Sequence, residues 1–376
     1  MARTHFWFPE IALYRGGVQV YCRTLLNAYH ECFPEDSLHV ILKNDCPEGF
    51  PENAEKIRYS FCGRWPILRT LVFAVKLFLK GMMERPDRII IGHMNFTPVA
   101  ALLNKLFGIR YYVVIHGIEA WRRHSFLKRW GLRHASRLLT VSRFTQKVLM
   151  DRYHFDDELF YYLPPAVDID TFIPKEKSLS LLKEYNLSPE QPVVLSVCRL
   201  DSTEYFKGYD KVIHAIDEIR QKIPDVRYIL VGRGDDMPRL RNLVNHRNLQ
   251  RHVYFAGFVP DEDLCDMYNL CDVFALPSQK EGFGIVFCEA MSCGKPVLAG
   301  NQDASVDTLL GGEGGALVDP NDQEAITQAL LQLLQKTYPK KELFQPAHLR
   351  QLMIENYSLD QFRKRLSQFM AKEGSR

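Results

Sequence analysis

The sequence predicts an α/β protein of two doubly wound, Rossmann-like halves, and three observations lead there. At 376 residues the chain exceeds what one ordinary core organises. Short runs rich in β-branched residues alternate with helical patterns, which argues for parallel sheets covered on both faces. A stretch rich in proline and acids, "LPPAVDIDTFIP", separates the halves and reads as a linker. In the first half the strands are "DRIIIGHM", "YYVVIHG", "HASRLLTVS" and "LFYYLPP", with "TPVAALLNKLFG" as a helix closed by Gly108. In the second they are "VVLSVCRL", "RYILVGRG", "HVYFAGF", "DVFALPS" and "KPVLAG", with helices such as "GYDKVIHAIDEIRQKI" between them. The expected domains are residues 1–165 and 166–355, followed by a terminal helical segment, 356–376. Two such domains are expected to face each other across a cleft, with ligands beyond the carboxyl ends of the strands.

Composition bounds the class. The chain is 46% apolar and 25% charged, with no low-complexity tract, as in soluble globular proteins. The longest apolar candidate, "ILRTLVFAVKLFLKGMM", carries Arg69, Lys76 and Lys80 and reads as an amphipathic or buried helix rather than a membrane span. The N-terminus lacks the pattern of a signal peptide. Nine scattered cysteines without a C-x-x-C pair suggest reduced thiols, a cytoplasmic chain and no zinc site. No nucleic-acid partner is expected. The net charge is only +3 but uneven: residues 1–165 hold 23 Lys and Arg against 15 Asp and Glu. No acid falls between Glu119 and Asp151, where Arg122, Arg123, Lys128, Arg129, Arg133, Arg137, Arg143 and Lys147 lie. This is either a solvated helix face or a docking face for phosphate-bearing partners, including peripheral contact with an anionic membrane.

The loops after the strands hold the candidate chemistry. "RGGVQVY" offers Gly16 and Gly17 at a helix start, where backbone can approach a ligand or simply turn. His116 ends "VVIHG", and a histidine there is either structural or catalytic. Arg199 follows "VVLSVCRL", with Lys207 eight residues on; an Arg fork with a Lys point charge suits a diphosphate, although an exposed loop pair looks the same. "LVGRGDD" begins a dinucleotide fingerprint and then breaks at its third glycine, which argues against a nicotinamide oxidoreductase.

The strongest stretch is "EGFGIVFCEAMSCG", residues 281–294. Lying between two strands, it predicts a helix from about Gly284 to Cys293 with Gly294 as its cap. Its free N–H groups and dipole invite a phosphate, yet Glu281 and Glu289 flank that position. Carboxylates accept hydrogen bonds only. A ribose–diphosphate–sugar ligand resolves the conflict: the acids take sugar hydroxyls, while Arg199, Lys207 and the dipole take the phosphates.

These residues resemble the E-x7-E signature of glycosyltransferase family four, retaining enzymes of the GT-B fold. "GGVQVY", "RPDRIIIGH", "LTVSRFT", "LPPAVDIDTFIP", "SVCRL", "FKG", "VYFAGFV" and "GGALVDPND" add collinear marks from end to end. The resemblance implies that the second domain binds a nucleotide sugar and the first an acceptor, a saccharide or lipid-linked saccharide. It places Glu289 on ribose hydroxyls, Glu281 on the donor sugar, and Arg199 and Lys207 on the diphosphate. Phe283, Gly284 and Ile285 would contact sugar and phosphate, and Phe258 and Val259, after Gly257, the base. The Gly17 loop would close over phosphate, His116 would reach the donor sugar, and the final helix would cross back onto the first domain. The sequence departs from the family at Cys198, where glycine is common, and in "NQDASVDTLL", which lacks the usual glycine pair before an acid.

The resemblance implies retention without a well-placed carboxylate nucleophile, and with it front-face displacement, in which Arg199, Lys207 and the helix dipole would stabilise the charge on the leaving phosphate. No cofactor and no metal is then required, and the D-x-D strings at Asp168 and Asp261 read as caps. The expected donor is a UDP-hexose, in cell-surface or exopolysaccharide synthesis. Rival readings are a GT-B nucleotide-sugar epimerase or sugar-phosphate synthase, and a non-catalytic nucleotide-sugar-binding subunit.

Overall fold

In the computed structural model, which describes residues 1–12, 16–48, 50, 56–62 and 68–374, the apolar runs pair into two all-parallel sheets. The chain divides into one unit of Met1–Ala166 with Asp360–Arg376 and a second of Val167–Leu359.

The first unit holds β1 (Arg3–Phe8), β2 (Ser37–Leu42), β3 (Ile57–Phe61), β4 (Arg88–Ile91), β5 (Arg110–Ile115), β6 (Arg137–Thr140) and β7 (Phe160–Tyr162). Their spatial order is β3-β2-β1-β4-β5-β6-β7, so the winding reverses between β1 and β4. Phe6, Trp7 and Phe8 of β1 are fully buried, as are Ile89, Ile90 and Ile91 of β4. Continuous burial of consecutive residues requires cover on both faces of the sheet, which the helices supply. Local chemistry sets the helix ends. Ser142 caps the helix Arg143–Tyr153 by accepting from the N–H of Thr145 at 3.2 Å. Gly108, at φ +69°, closes Thr97–Phe107.

The terminal helix, Leu359–Gly374, packs on this first unit. Phe369 sits against the rings of Tyr112 and Tyr161, the Tyr161 hydroxyl donates to the Arg365 carbonyl at 2.8 Å, and buried Glu373 pairs with Arg137 at 3.1 Å.

The second unit holds β8 (Val193–Val197), β9 (Arg227–Val231), β10 (Val253–Gly257), β11 (Val273–Leu276), β12 (Val297–Gly300) and β13 (Ala316–Val318), ordered β10-β9-β8-β11-β12-β13. Here the reversal lies between β8 and β11. The loops that follow these two strands carry Cys198 to Lys207 and Pro277 to Gly284. The paired glycines of "LVGRG" have a packing role: a Cβ on Gly232 would strike the Cys198 carbonyl, and one on Gly234 the Leu200 carbonyl. They seat the β9 loop against the β8 loop.

Two expectations change. The stretch "ILRTLVFAVKLFLKGMM" forms the helix Arg69–Glu84, amphipathic as read, but with an apolar side turned outward. Phe73, Leu77 and Gly81 face the core, while Leu71, Val75, Leu79 and Met83 on the opposite side are exposed. The basic stretch does not form one free face either. Arg133 donates to the Tyr153 carbonyl, Arg137 pairs with Glu373, and Arg143 lies over the Tyr162 ring. Arg122, Arg123, Arg129 and Lys147 are exposed. No helix of the described residues is long and apolar enough to cross a membrane.

Candidate functional site

The second unit brings the centre of the predicted site together at its switch point. Lys207 ends a short 3-10 turn, Tyr205–Lys207, after β8, and Glu281 lies in the loop after β11. Lys207 Nζ donates to Glu281 Oε2 at 2.6 Å, with both side chains 14% exposed. Burial lowers the pKa of Lys207, but the attraction and hydrogen bond of Glu281 outweigh it and hold the ammonium above its usual range. Cys198, the departure from the family pattern, lies within the field of Lys207, Glu281 and Glu204. Burial first, then Glu281 and Glu204 against the opposing pull of Lys207, push its thiol up to about 12, so it is neutral and unreactive.

Arg199 is not drawn into this pair. Its guanidinium bonds Glu204 and its side chain is 74% exposed, while the other oxygen of Glu204 is buried without a partner among the described residues.

Glu281 is held from behind by a residue that sequence reading passed over. Asp303, fully buried, accepts through one oxygen from the Glu281 N–H at 2.7 Å and the Ser278 hydroxyl at 2.7 Å, and through the other from the Ser305 N–H at 2.9 Å. Burial pushes its carboxyl up to about 6. The Thr308 hydroxyl bonds the Phe283 carbonyl. The atypical "NQDASVDTLL" is thus the brace of the acidic loop.

The helix Ile285–Ser292 begins as expected, one residue after Gly284. Gly284 has φ +87° and a Cβ there would meet the Phe287 ring, so glycine is required by both backbone and space. Glu289, fifth in this helix and partly buried, accepts from the Tyr268 hydroxyl at 2.6 Å. Burial drives its carboxyl up to about 7, against the downward pull of Tyr268. Tyr268 was missed because an aromatic in the helix Asp261–Leu270 reads as core, and its ring does pack on Phe172 and Phe274. Phe258 is exposed, with the Arg233 guanidinium 5.5 Å over its ring, and Val259 follows it.

The remaining predicted residues lie in the first unit. His116 follows β5, and its Nε2 donates to the Gly92 carbonyl at 2.8 Å, so Nδ1 carries the lone pair. Its own N–H donates to Glu119 at 2.7 Å, and the Tyr21 ring meets it edge-on. Burial lowers its pKa to about 4, so the imidazole is neutral at pH 7. Gly17 opens the helix Gly17–Cys32, and among the described residues nothing lies within 4 Å of where its Cβ would stand. Packing among the described residues does not demand a glycine there.

Among the described residues, one trio could share a metal ion: His5, His39 and Glu84. It lies in the first unit, and Arg58 and Lys80 bind the same carboxylate, so the cluster is already supplied with cations. Asp168 accepts from the N–H groups of Asp170 and Thr171 in a local turn, and Asp261 and Asp263 open a helix.

Comparison with known proteins matches this arrangement in both units. The family described as Glycosyltransferase Family 4 matches residues 15–171, and Glycosyl transferases group 1 matches residues 180–356. The chain belongs to the family four glycosyltransferases. Among curated relatives of this glycosyltransferase, the GDP-mannose-dependent alpha-(1-6)-phosphatidylinositol monomannoside mannosyltransferase of Mycolicibacterium smegmatis is 34% identical over 201 residues, 52% of each chain. The O-antigen chain mannosyltransferase B of Escherichia coli is 30% identical over 208 residues, 54% of this chain and 53% of that one. The match therefore spans about half the length of these relatives. In fold, the glycosyltransferase resembles sucrose-phosphate synthase from Thermosynechococcus elongatus, with TM-score 0.81, 20% identity and 99% of both chains covered. It also resembles Anabaena HepE in complex with UDP, with TM-score 0.79, 20% identity and coverage of 98% of this chain and 100% of that one. Both have the two-domain GT-B architecture expected from the sequence.

Proposed function

We propose that this glycosyltransferase moves a hexose from a nucleoside diphosphate sugar to a saccharide or lipid-linked saccharide with retention of configuration and without a metal. The observation that carries the reading is the Lys207–Glu281 pair at the switch point of the second sheet, one short loop before the open N-terminus of Ile285–Ser292. That places a cation, an acceptor-only group and free N–H donors within one loop cluster, which suits a diphosphate bonded to a sugar. In the reaction, the bond from the anomeric carbon to the β-phosphate oxygen breaks, and the acceptor oxygen bonds that carbon on the same face. The acceptor proton passes to the departing diphosphate. Lys207, Arg199 and the helix N-terminus stabilise the charge growing there. Glu281 and the main chain of Phe283, Gly284 and Ile285 orient the sugar, Glu289 takes the ribose, and Phe258 and Val259 border the base.

Residues alone favoured a UDP-hexose. The mannosyltransferase relatives shift the donor reading to GDP-mannose, since their match includes a GDP-mannose-dependent enzyme at 34% identity. The test is thermal melting with a panel of nucleotide sugars in chelator. A ligand at a hundred times its dissociation constant adds about 2.7 kcal/mol, a shift of several degrees. GDP-mannose should raise the melting temperature more than UDP-glucose, and labelled mannose should pass to a saccharide acceptor. Equal shifts would overturn the donor assignment. Activity lost in chelator and restored by magnesium or manganese would overturn the metal-free mechanism.

A further inference from the structure

Seven large apolar side chains stand exposed on two adjacent helices of the first unit. On Arg69–Glu84 and the residue before it these are Leu68, Leu71, Val75, Leu79 and Met83, at 53, 63, 50, 44 and 76% exposure. On Thr97–Phe107 they are Leu102 and Leu106. Gly81 lets Leu103 seat closely between these helices, and Arg85 covers the Phe107 ring at 5.1 Å. Leu71, Val75, Leu79 and Met83 recur every four residues and so form one stripe. Apart from Thr70, they are the exposed residues of that helix. A solvated helix of a soluble protein carries charges on this side. The next helix, Phe126–Arg133, exposes Phe126 and Leu127 beside Arg122, Arg123 and Arg129.

The segment that carries the stripe is strongly basic in sequence. Residues 68–150 contain fifteen Lys and Arg against three acids, Glu84, Asp87 and Glu119. Each acid is engaged: Glu84 with His39, Arg58 and Lys80, Asp87 with the Arg3 N–H, and Glu119 with the His116 N–H. A second copy of the same chain would bring cations against cations. An anionic lipid surface satisfies both features, since apolar side chains enter the acyl boundary while Lys and Arg meet the headgroups.

We propose that the outward face of Arg69–Glu84 and Thr97–Phe107, with the Phe126 end of the neighbouring helix, is a monotopic docking surface for an anionic membrane. The helices lie on the bilayer and do not cross it. This inference stands on the first unit alone and is independent of the donor.

The experiment is co-sedimentation of the full chain with vesicles of pure phosphatidylcholine and of phosphatidylcholine containing phosphatidylglycerol, at 0.1 M salt. The expected result is at least tenfold stronger partitioning to the anionic vesicles, weakened as salt shortens the screening length. Serine at Leu71, Val75, Leu79 and Met83 together should abolish it with the melting temperature and nucleotide affinity retained, because these side chains support no core. Reversing charge at Lys105, Arg122 and Arg123 should weaken binding to anionic vesicles while leaving the fold intact. Equal binding to both vesicle types, or binding untouched by the serine variant, would overturn the proposal. So would a concentration-dependent dimer, seen by sedimentation velocity, that the serine variant dissolves.

Discussion

Lys207 Nζ and Glu281 Oε2 lie 2.6 Å apart although 74 positions separate the residues in sequence. The contact joins the loop after β8 to the loop after β11 and is largely shielded from water. Removing one partner of such a pair leaves the other charge buried, which for fully buried pairs costs about 3–5 kcal/mol. With some exposure remaining, Lys207→Ala should destabilise by roughly 2–3 kcal/mol. The double variant Lys207→Ala/Glu281→Ala should recover part of that loss. Urea unfolding of both variants measures it. A double variant less stable than the single by a further full increment would show that the two residues do not act as a pair.

Two glycines make opposite predictions. Gly284 occupies a left-handed backbone position and Phe287 fills the space where a Cβ would go, so Gly284→Ala should cost about 1–3 kcal/mol. Gly17 begins a helix, and among the described residues nothing meets its Cβ position, so Gly17→Ala should leave stability unchanged or slightly raised. If the Gly17 loop approaches the donor, Gly17→Ala should nonetheless reduce turnover by tenfold or more. Melting temperatures and initial rates measured side by side decide both. Unchanged turnover in Gly17→Ala would remove that loop from the donor site.

How much of this was legible in the sequence depended on range. The strands of the second half, the start of the helix at Ile285 and the position of Gly284 follow from local periodicity and turn chemistry, and these are local properties. The Lys207–Glu281 contact follows only once the order of strands is known. Asp303 was hidden for a different reason: its carboxylate serves backbone N–H groups, a role that leaves no spacing pattern. Tyr268 carries a packing ring and a hydroxyl bonded to Glu289 at once, and the pattern reports only the ring. In Arg69–Glu84 both faces are apolar, so periodicity could not say which one meets the core.

Asp303 gives a pH-dependent prediction. Its folded carboxyl titrates at about 6, above its ordinary value of 3.8. Between these values the folded state binds more protons than the unfolded state, so its contribution to stability falls as pH rises from about 4 to 6. Asp303→Asn cannot lose a proton and should flatten that part of the profile. The parent should hold its greatest advantage over the variant near pH 4 and its least above pH 6. Since Asp303 also orders the Glu281 loop, the variant should lower turnover more than it weakens nucleotide binding. Unfolding curves across the pH range, with steady-state kinetics at pH 7.5, test the two halves separately. Parallel pH profiles for parent and variant would show that the carboxyl does not titrate there.

The two acids of the E-x7-E stretch should separate by ligand and by pH. If Glu289 accepts from ribose hydroxyls, it touches a part of the donor that is unchanged in the reaction, and its loss weakens binding without a selective effect on the chemical step. A charge-assisted hydrogen bond contributes about 1.5–3 kcal/mol, so Glu289→Ala should weaken nucleoside diphosphate binding by roughly 10- to 150-fold. Glu289 titrates at about 7 in the folded chain, and only its ionised form is a full acceptor. Nucleotide affinity should therefore fall as pH drops through about 7, and Glu289→Gln should remove that dependence. Tyr268→Phe, which deletes the hydroxyl donated to the carboxylate, should move the inflection to higher pH. Glu281 balances Lys207; if it also faces the transferred sugar, Glu281→Ala should leave affinity for the bare nucleoside diphosphate unchanged or tighter, because Lys207 is released to the phosphates. Turnover should fall sharply, as the sugar gains positive charge in the transition state with no acid beside it. Calorimetric titration of each variant with the bare nucleotide and with the intact donor, repeated at pH 6 and pH 8, measures every arm. Equal losses for both ligands in both variants, with no pH dependence, would mean that the two carboxylates only support the loop and helix that carry them.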